Sequence, residues 1–355
     1  MVFAGERCFM LHRILLIAMG LWPYQKPLIW KIQAVFFFSA YCSILFSQVK
    51  KALQHMQLDW KMFENSDAMK IFEEYLFESY IFMISANILG AVSGVFFMTI
   101  ECRSIILDVI VPINKSRPRK VEMDLELFVD EEQYFFLYLA QELLGIGISA
   151  WSLVTTGTFL ITIVKHLCAT YKIVSYLIQN TVTIHTLQLP IVQRIQYMQR
   201  NICLSVYIHR RTLEFCKCLL LSFEMWYFPL LVICILSLSC LLFRLYNAIM
   251  QFNDLHDILM SCVFLLCYLI YMLMSNFLGQ SYTEHSVKIL ESTYDTLWYI
   301  APLPIQKLFL IMHKSIKSHK VVLGSLFVAS IEGFSTVINY VLLTYIVTSM
   351  NIFSS

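Results

Sequence analysis

Residues 291–318 read ESTYDTLWYIAPLPIQKLFLIMHKSIKS, and the side of a membrane this stretch faces decides how the rest of the chain is built. Ile305, Leu308, Phe309, Met312 and Ile316 recur at i, i+3, i+4, i+7 and i+11, one face of a helix. Gln306, Lys307, His313, Lys314 and Lys317 fall mainly on the other face. Pro302 and Pro304 suit the first turn, where a missing N–H costs little. The spacing predicts an amphipathic helix, and composition leaves it two settings: a lipid surface, or a contact with another subunit.

The flanking sequence is greasy enough to cross a bilayer. Of 355 residues, 59% are hydrophobic, 15% aromatic and only 14% charged, where a soluble domain has about 45–50% apolar and about 25% charged residues. The apolar residues come in blocks of about 20, the length of a membrane-crossing helix. Seven spans are expected, roughly 28–50, 75–99, 134–153, 157–180, 219–245, 258–278 and 322–348, with a tight hairpin near 154–156 joining the third to the fourth. In lipid each must be a helix, because only a helix satisfies its own backbone polar groups. Residues 1–27 carry Arg7 and Arg13 ahead of ILLIAMGLW (14–22), but no small-x-small cleavage site follows, so an interfacial helix is expected there. Pro229 inside span five predicts a kink.

Orientation follows from Lys and Arg in short loops. Taken together, the N-terminus and the loops after spans two, four and six hold eighteen of them, against three (Lys51, Lys61, Lys70) on the other side. On this reading the N-terminus is cytoplasmic, the C-terminus extracellular, and the opening stretch is a cytoplasmic helix before the last span. A G-protein-coupled receptor needs the reverse. The sequon Asn114-Lys115-Ser116 then falls inside, where glycosylation does not occur. Four segments result: 1–27 cytoplasmic or interfacial, 28–280 a bundle of six spans, 281–321 a cytoplasmic anchor, and 322–355 the last span.

Catalytic and metal chemistry find no motif. There is no HExxH, GxSxG or phosphate-binding glycine loop, so no enzyme and no cofactor is expected. Eleven cysteines include no CxxC pair, and Cys216-Lys-Cys218 is poorly spaced for zinc, so no metal is expected. Most act as small hydrophobes, with acylation of Cys216 or Cys218 the alternative. A transporter would show paired inverted repeats with broken helices, and none is found. Two ionisable groups within spans, Glu142 and Lys172, each lie eight residues from an inner end and are expected to form a structural ion pair.

The last third resembles one family. FLGQSYTEHSVKILESTYDTLWYIAPLPIQKLFLIMHKSIKS, then GSLFVASIEGFSTVINYVLLTYIVTSM, is similar to the carboxyl-terminal signature of insect odorant receptors, and GLWP at 20–23 also fits. The resemblance implies a subunit of an odour-gated, non-selective cation channel that forms a heterotetramer with a shared co-receptor. It implies a plasma-membrane location in the dendrite of an olfactory neuron, with volatile odorant, permeant cations and membrane lipid as partners, and neither nucleic acid nor a G protein. A gustatory-type receptor forming a homotetramer is the alternative, since it shares the topology and the TY-type ending; Ser-Ile-Glu-Gly-Phe and Trp298-Tyr299 favour the odorant family.

The family's pattern also implies site residues. TYIVTSMNIF (344–353) resembles the ending shared by insect chemoreceptors, placing Thr344, Thr348 and Asn351 along the pore, with Thr348 at the gate and Asn351 at the outer constriction. One hydroxyl in an apolar ring weakens a gate that closes by dewetting. Gly147, Trp151, Tyr268 and Tyr271 match positions the family uses for its odour pocket, in the outer half of the bundle. Depth and facing add Tyr80, Met83 and Ile84 on span two and Phe159 and Ile163 on span four. Such an aromatic, mostly apolar set with a few hydroxyls suits a small volatile hydrophobic ligand. Glu332 fits either a pore mouth or a neighbouring subunit.

Overall fold

The computed structural model describes residues 27–64, 66–110, 134–250, 255–315, 320–323 and 327–354, but not, among others, the side chains of 220–231 and 344–354. The expected N-terminal interfacial helix, its cytoplasmic placement and GLWP lie outside the described residues. The elements are α1 (Pro27–Phe63), α2 (Ala68–Glu101), α3 (Arg103–Ile110), α4 (Phe135–Gln179), α5 (Ile184–Leu187), α6 (Ile191–Met250), α7 (Leu255–Tyr294), α8 (Leu303–Ser315) and α9 (Ile331–Ser354). A 3-10 turn at Trp298–Ile300 and two antiparallel two-residue strands, Val322–Leu323 and Phe327–Val328, complete them. Met1–Glu64 and Asn65–Ser355 form two separate compact units. Within the first, the His55 and Asp59 side chains meet at 3.1 Å one turn apart on α1.

The second unit corrects the expected topology. No hairpin breaks the chain at 154–156; Phe135–Gln179 is one helix of 45 residues. The hydroxyl-rich stretch that suggested a turn satisfies itself inside the helix. Thr155 donates to Trp151 O at 2.8 Å, Thr156 to Ser152 O at 2.8 Å, and Thr158 to Val154 O at 2.9 Å. A hydroxyl bonded to the carbonyl one turn back carries no demand for water, so it marks no loop. Six long helices are therefore present among the described residues.

Two expectations fall with the hairpin. Glu142 and Lys172 stand on one helix, thirty residues or roughly 45 Å apart, and do not pair. Segments 102–134 and 180–190 lie at opposite ends of α4, so the basic loops do not share one side. The end that carries α8 keeps Arg194, Arg200, Arg210, Arg211, Lys217, Lys288, Lys307, Lys314 and Lys320. Arg103 lies at the opposite end, and in the chain Lys115, Arg117, Arg119 and Lys120 fall between α3 and α4, outside the described residues.

Contacts fix the directions. α2 runs antiparallel to α4, with Ser79 Oγ donating to Thr162 Oγ1 at 3.0 Å and Cys102 and Ile105 packed on Phe135, Tyr138 and Leu139. α7 runs parallel to α4, the Tyr171 and Tyr282 hydroxyls meeting at 2.8 Å and Gln179 Nε2 donating to Ser292 Oγ at 3.4 Å. α6 runs antiparallel to α4, with ring contacts His166–Phe215 and Tyr171–His209.

The well-packed core sits at the α8 end. Tyr171, Ile173, Met198, Ile208 and Ile289 are fully buried, and so are Ile305 and Phe309 of α8. Of the expected apolar face of that helix, Ile305, Phe309 and Met312 are buried and Leu308 is half-buried, while Ile316 lies outside the described residues. Gln306 Nε2 secures the entry turn, donating to Tyr299 O at 2.8 Å and Ala301 O at 2.9 Å.

Candidate functional site

Besides 333–354 on the last helix, three uninterrupted charge-free runs of 22 residues or more stand out once the helices are known: 79–100 on α2, 143–164 on α4 and 258–283 on α7. Twenty-two helical residues span roughly 33 Å, close to the hydrocarbon thickness of a bilayer. Their lower ends meet in space. Lys165 Nζ, just below the α4 run, pairs with Glu78 Oε2, just below the α2 run, at 2.5 Å. His285 donates Nδ1–H to Ser281 O at 2.7 Å, which leaves Nε2 to accept the Tyr75 hydroxyl at 2.7 Å. The Lys165 ammonium also lies over the Tyr75 and Phe82 rings, 5.8 and 5.4 Å from their centroids. Runs delimited by sequence alone end on residues that touch, so this polar layer closes the charge-free part of the three helices at one level, as a boundary between apolar and polar surroundings would. At the other end Glu101 and Glu142 are both buried near the Phe135 cluster.

Measured from this boundary, the sequence-derived site residues fall at different depths. Tyr80, Met83 and Ile84 lie just above Glu78, and all three are exposed on the isolated chain. Ile163 is buried and Phe159 half-buried within two turns of Lys165. Tyr268 and Tyr271 sit near mid-depth, half-buried. Trp151, about 21 Å above Lys165, is 71% exposed, and Gly147 lies one turn higher with open space beside its Cα. The unbroken α4 explains the spread, because α2 and the first half of α4 run opposite to the expected direction. Thr344, Thr348 and Asn351 lie on the backbone of α9, with side chains outside the described residues. Glu332 is exposed in the first turn of α9. Pro229 falls within α6, its side chain outside the description. Cys216 is buried and Cys218 exposed.

The structure does bring together one apolar centre. A Cβ placed on Gly157 would lie 3.7 Å from the Tyr271 ring, and one on Gly90 3.2 Å from Val154, so α2, α4 and α7 approach closely through small residues at mid-depth. On the far side of α7, Tyr268 packs with Leu238, Met272 and Val341, together with Val337 and Ile338 of the last helix. Gly157, Gly90 and the Lys165–Glu78 pair were missed from the sequence. Equal lengths of the two charge-free runs were the signal that could have paired Glu78 with Lys165.

Comparison with known proteins agrees with this architecture. The family model described as 7tm Odorant receptor matches residues 27–342. A search of curated proteins finds no match. Among solved structures, the chain is similar to the insect olfactory receptor OR5 from Machilis hrabei, with a TM-score of 0.60 at 12% identity over 97% of this chain and 88% of that one. The same receptor in complex with eugenol gives a TM-score of 0.62 at 11% identity, covering 96% and 89%.

Proposed function

The chain belongs to the 7tm odorant receptor family, a multi-pass membrane protein of the insect olfactory-receptor fold, and from that premise we propose that it is an odour-gated, non-selective cation-channel subunit. Its volatile, mostly apolar ligand binds where Tyr271 faces Gly157, with Tyr268 and Phe159 as further contacts. The observation that supports this reading most is mechanical. Tyr271 faces α4 at Gly157, while its neighbour Met272 shares a buried cluster with Leu238 of α6 and Val341 of the last helix, against which Tyr268, Val337 and Ile338 also pack. A ligand beside Tyr271 is therefore one packing layer from the helix that carries Thr344, Thr348 and Asn351.

Gating needs a ligand that binds the open arrangement better than the closed one, since equal affinity shifts nothing. Displacement of α7 by the ligand provides such a difference if the last helix follows. The excess of Lys and Arg in the sequence around the α8 end over that in the α3–α4 segment supports a cytoplasmic α8 and an extracellular C-terminus. The exposed Leu303, Leu310 and Ile311 on α8 suit contact with a second subunit. A shared co-receptor is the partner that the family implies, in the plasma membrane of an olfactory neuron's dendrite.

The test is current. Cells expressing the chain with an insect co-receptor are expected to pass cation current to some member of a panel of volatiles, insensitive to G-protein block. Tyr271→Ala and Tyr268→Ala are expected to shift or abolish those responses. Responses unchanged in both would remove this ligand site. Current from the chain alone would point to a homotetramer.

A further inference from the structure

On the face of α7 that meets the last helix stand Asn276 and Gly279, about one turn apart. A Cβ added to Gly279 would overlap the Ala329 carbonyl oxygen and lie 2.5 Å from the Ala329 Cβ, so the two backbones touch and any side chain forces them apart. Asn276 is 3% exposed. Its Nδ2 donates to Met272 O at 2.8 Å, which turns Oδ1 to accept the Ser330 N–H at 3.2 Å. Ser330 Oγ in turn accepts from the Gly333 N–H at 3.0 Å, capping α9, while the Phe334 N–H donates to Ser330 O at 2.9 Å. A Cβ on Gly333 would overlap the Val328 carbonyl oxygen, so this cap too is closed to larger residues. One chain of polar contacts thus runs from an α7 carbonyl, through a single buried amide, to the N-cap of the last helix.

Farther up, α7 and α9 meet differently. There Met272 and Val341 share a buried apolar cluster, with Tyr268, Val337 and Ile338 packed against it. Apolar side chains repack over small displacements; a backbone contact with directional hydrogen bonds at its base does not. The joint also sits at the boundary layer, since Cys168 Sγ, one turn below Lys165, lies 3.9 Å from Ser281 Oγ.

We propose that Asn276 and Gly279 are positioning residues that hold the inner end of α9 fixed on α7, so that the last helix tilts about this point when α7 moves, and does not slide. The gating role rests on the ligand site proposed above, about two turns up the same helix; the joint itself does not. Tilting about a fixed inner end moves the outer end most, where Thr348 and Asn351 lie.

The test compares Gly279→Ala, Asn276→Ala and Asn276→Asp, expressed with the co-receptor and scored per receptor at the surface. Gly279→Ala and Asn276→Ala are expected to shift spontaneous current or the half-maximal odour concentration by about tenfold, the effect of overpacking or losing one buried contact. Asn276→Asp keeps an acceptor for Ser330 and is expected to shift less. Variants that lower surface amount but leave both readouts unchanged would reduce the joint to a structural contact and overturn the proposal. Hydrogen exchange on the purified full chain decides the joint without current. Residues 329–334 are expected to be protected and to lose protection in Asn276→Ala while the rest of α7 is unchanged. Equal exchange in both chains would overturn the joint. A silent wild-type chain that retains this protection would refute ligand gating and leave the joint standing.

Discussion

The two ends of the bundle solve opposite problems. At the α8 end, Tyr171, Ile289, Ile305 and Phe309 are sealed inside a core that excludes water. In the membrane half, none of the most apolar stretch of α2 is buried, and Val92, Leu144 and Trp151 face outward. Water drives apolar side chains together, so the end beyond the bilayer packs as a soluble domain does. Lipid tails are as apolar as leucine and supply no such drive, which leaves the membrane half held by small-residue approaches and a few polar contacts. A fold anchored at one end and loose at the other can shift its loose half without unfolding.

If that contrast is right, equal truncations have unequal costs. Phe309→Ala is expected to destabilise the purified chain by about 3–5 kcal/mol, measured by thermal unfolding in detergent, because a sealed core cannot close over the cavity. Lys165→Met comes next, at about 1–2 kcal/mol: it leaves Glu78 without its partner, but Glu78 is half-exposed and recovers some solvation. Adding Glu78→Gln is expected to restore most of that loss; a double variant no better than the single would remove the boundary pair. Val92→Ala is expected to stay within about 0.5 kcal/mol. A large loss there would mean that the open face of α2 is buried against another chain.

Legibility in the sequence followed the same divide. The apolar period of 305–316 was readable because water on one side and a core on the other impose a pattern, and Ile305, Phe309 and Met312 are buried as that period requires. The joint of spans three and four was misread because hydroxyl residues inside a membrane helix bond their own carbonyls and look, in a string, like turn residues. From that one error came the false Glu142–Lys172 pair and the scatter of the expected pocket. The depth expected of Tyr268 and Tyr271 is untouched by it, because α7 lies after the error. Gly157 carried no pattern, since what matters there is the tyrosine across the gap.

The smallest energetic effect gives the sharpest topological answer. Asn114-Lys115-Ser116 lies in the chain between α3 and α4, and the start of α4 is at the end of the bundle opposite α8. With α8 in the cytoplasm this sequon faces the lumen during synthesis, and glycosidase treatment is expected to lower the apparent mass of the wild type but not of Asn114→Gln. The counterpart is Ile184→Asn, which completes a sequon with His185 and Thr186 at the α8 end, where Ile184 is exposed. That site is expected to stay bare in the Asn114→Gln background. Modification at Ile184→Asn alone would turn the bundle over and put α8 outside. Modification at both or at neither would place segments 102–134 and 180–190 on one side, and no single unbroken α4 could join them.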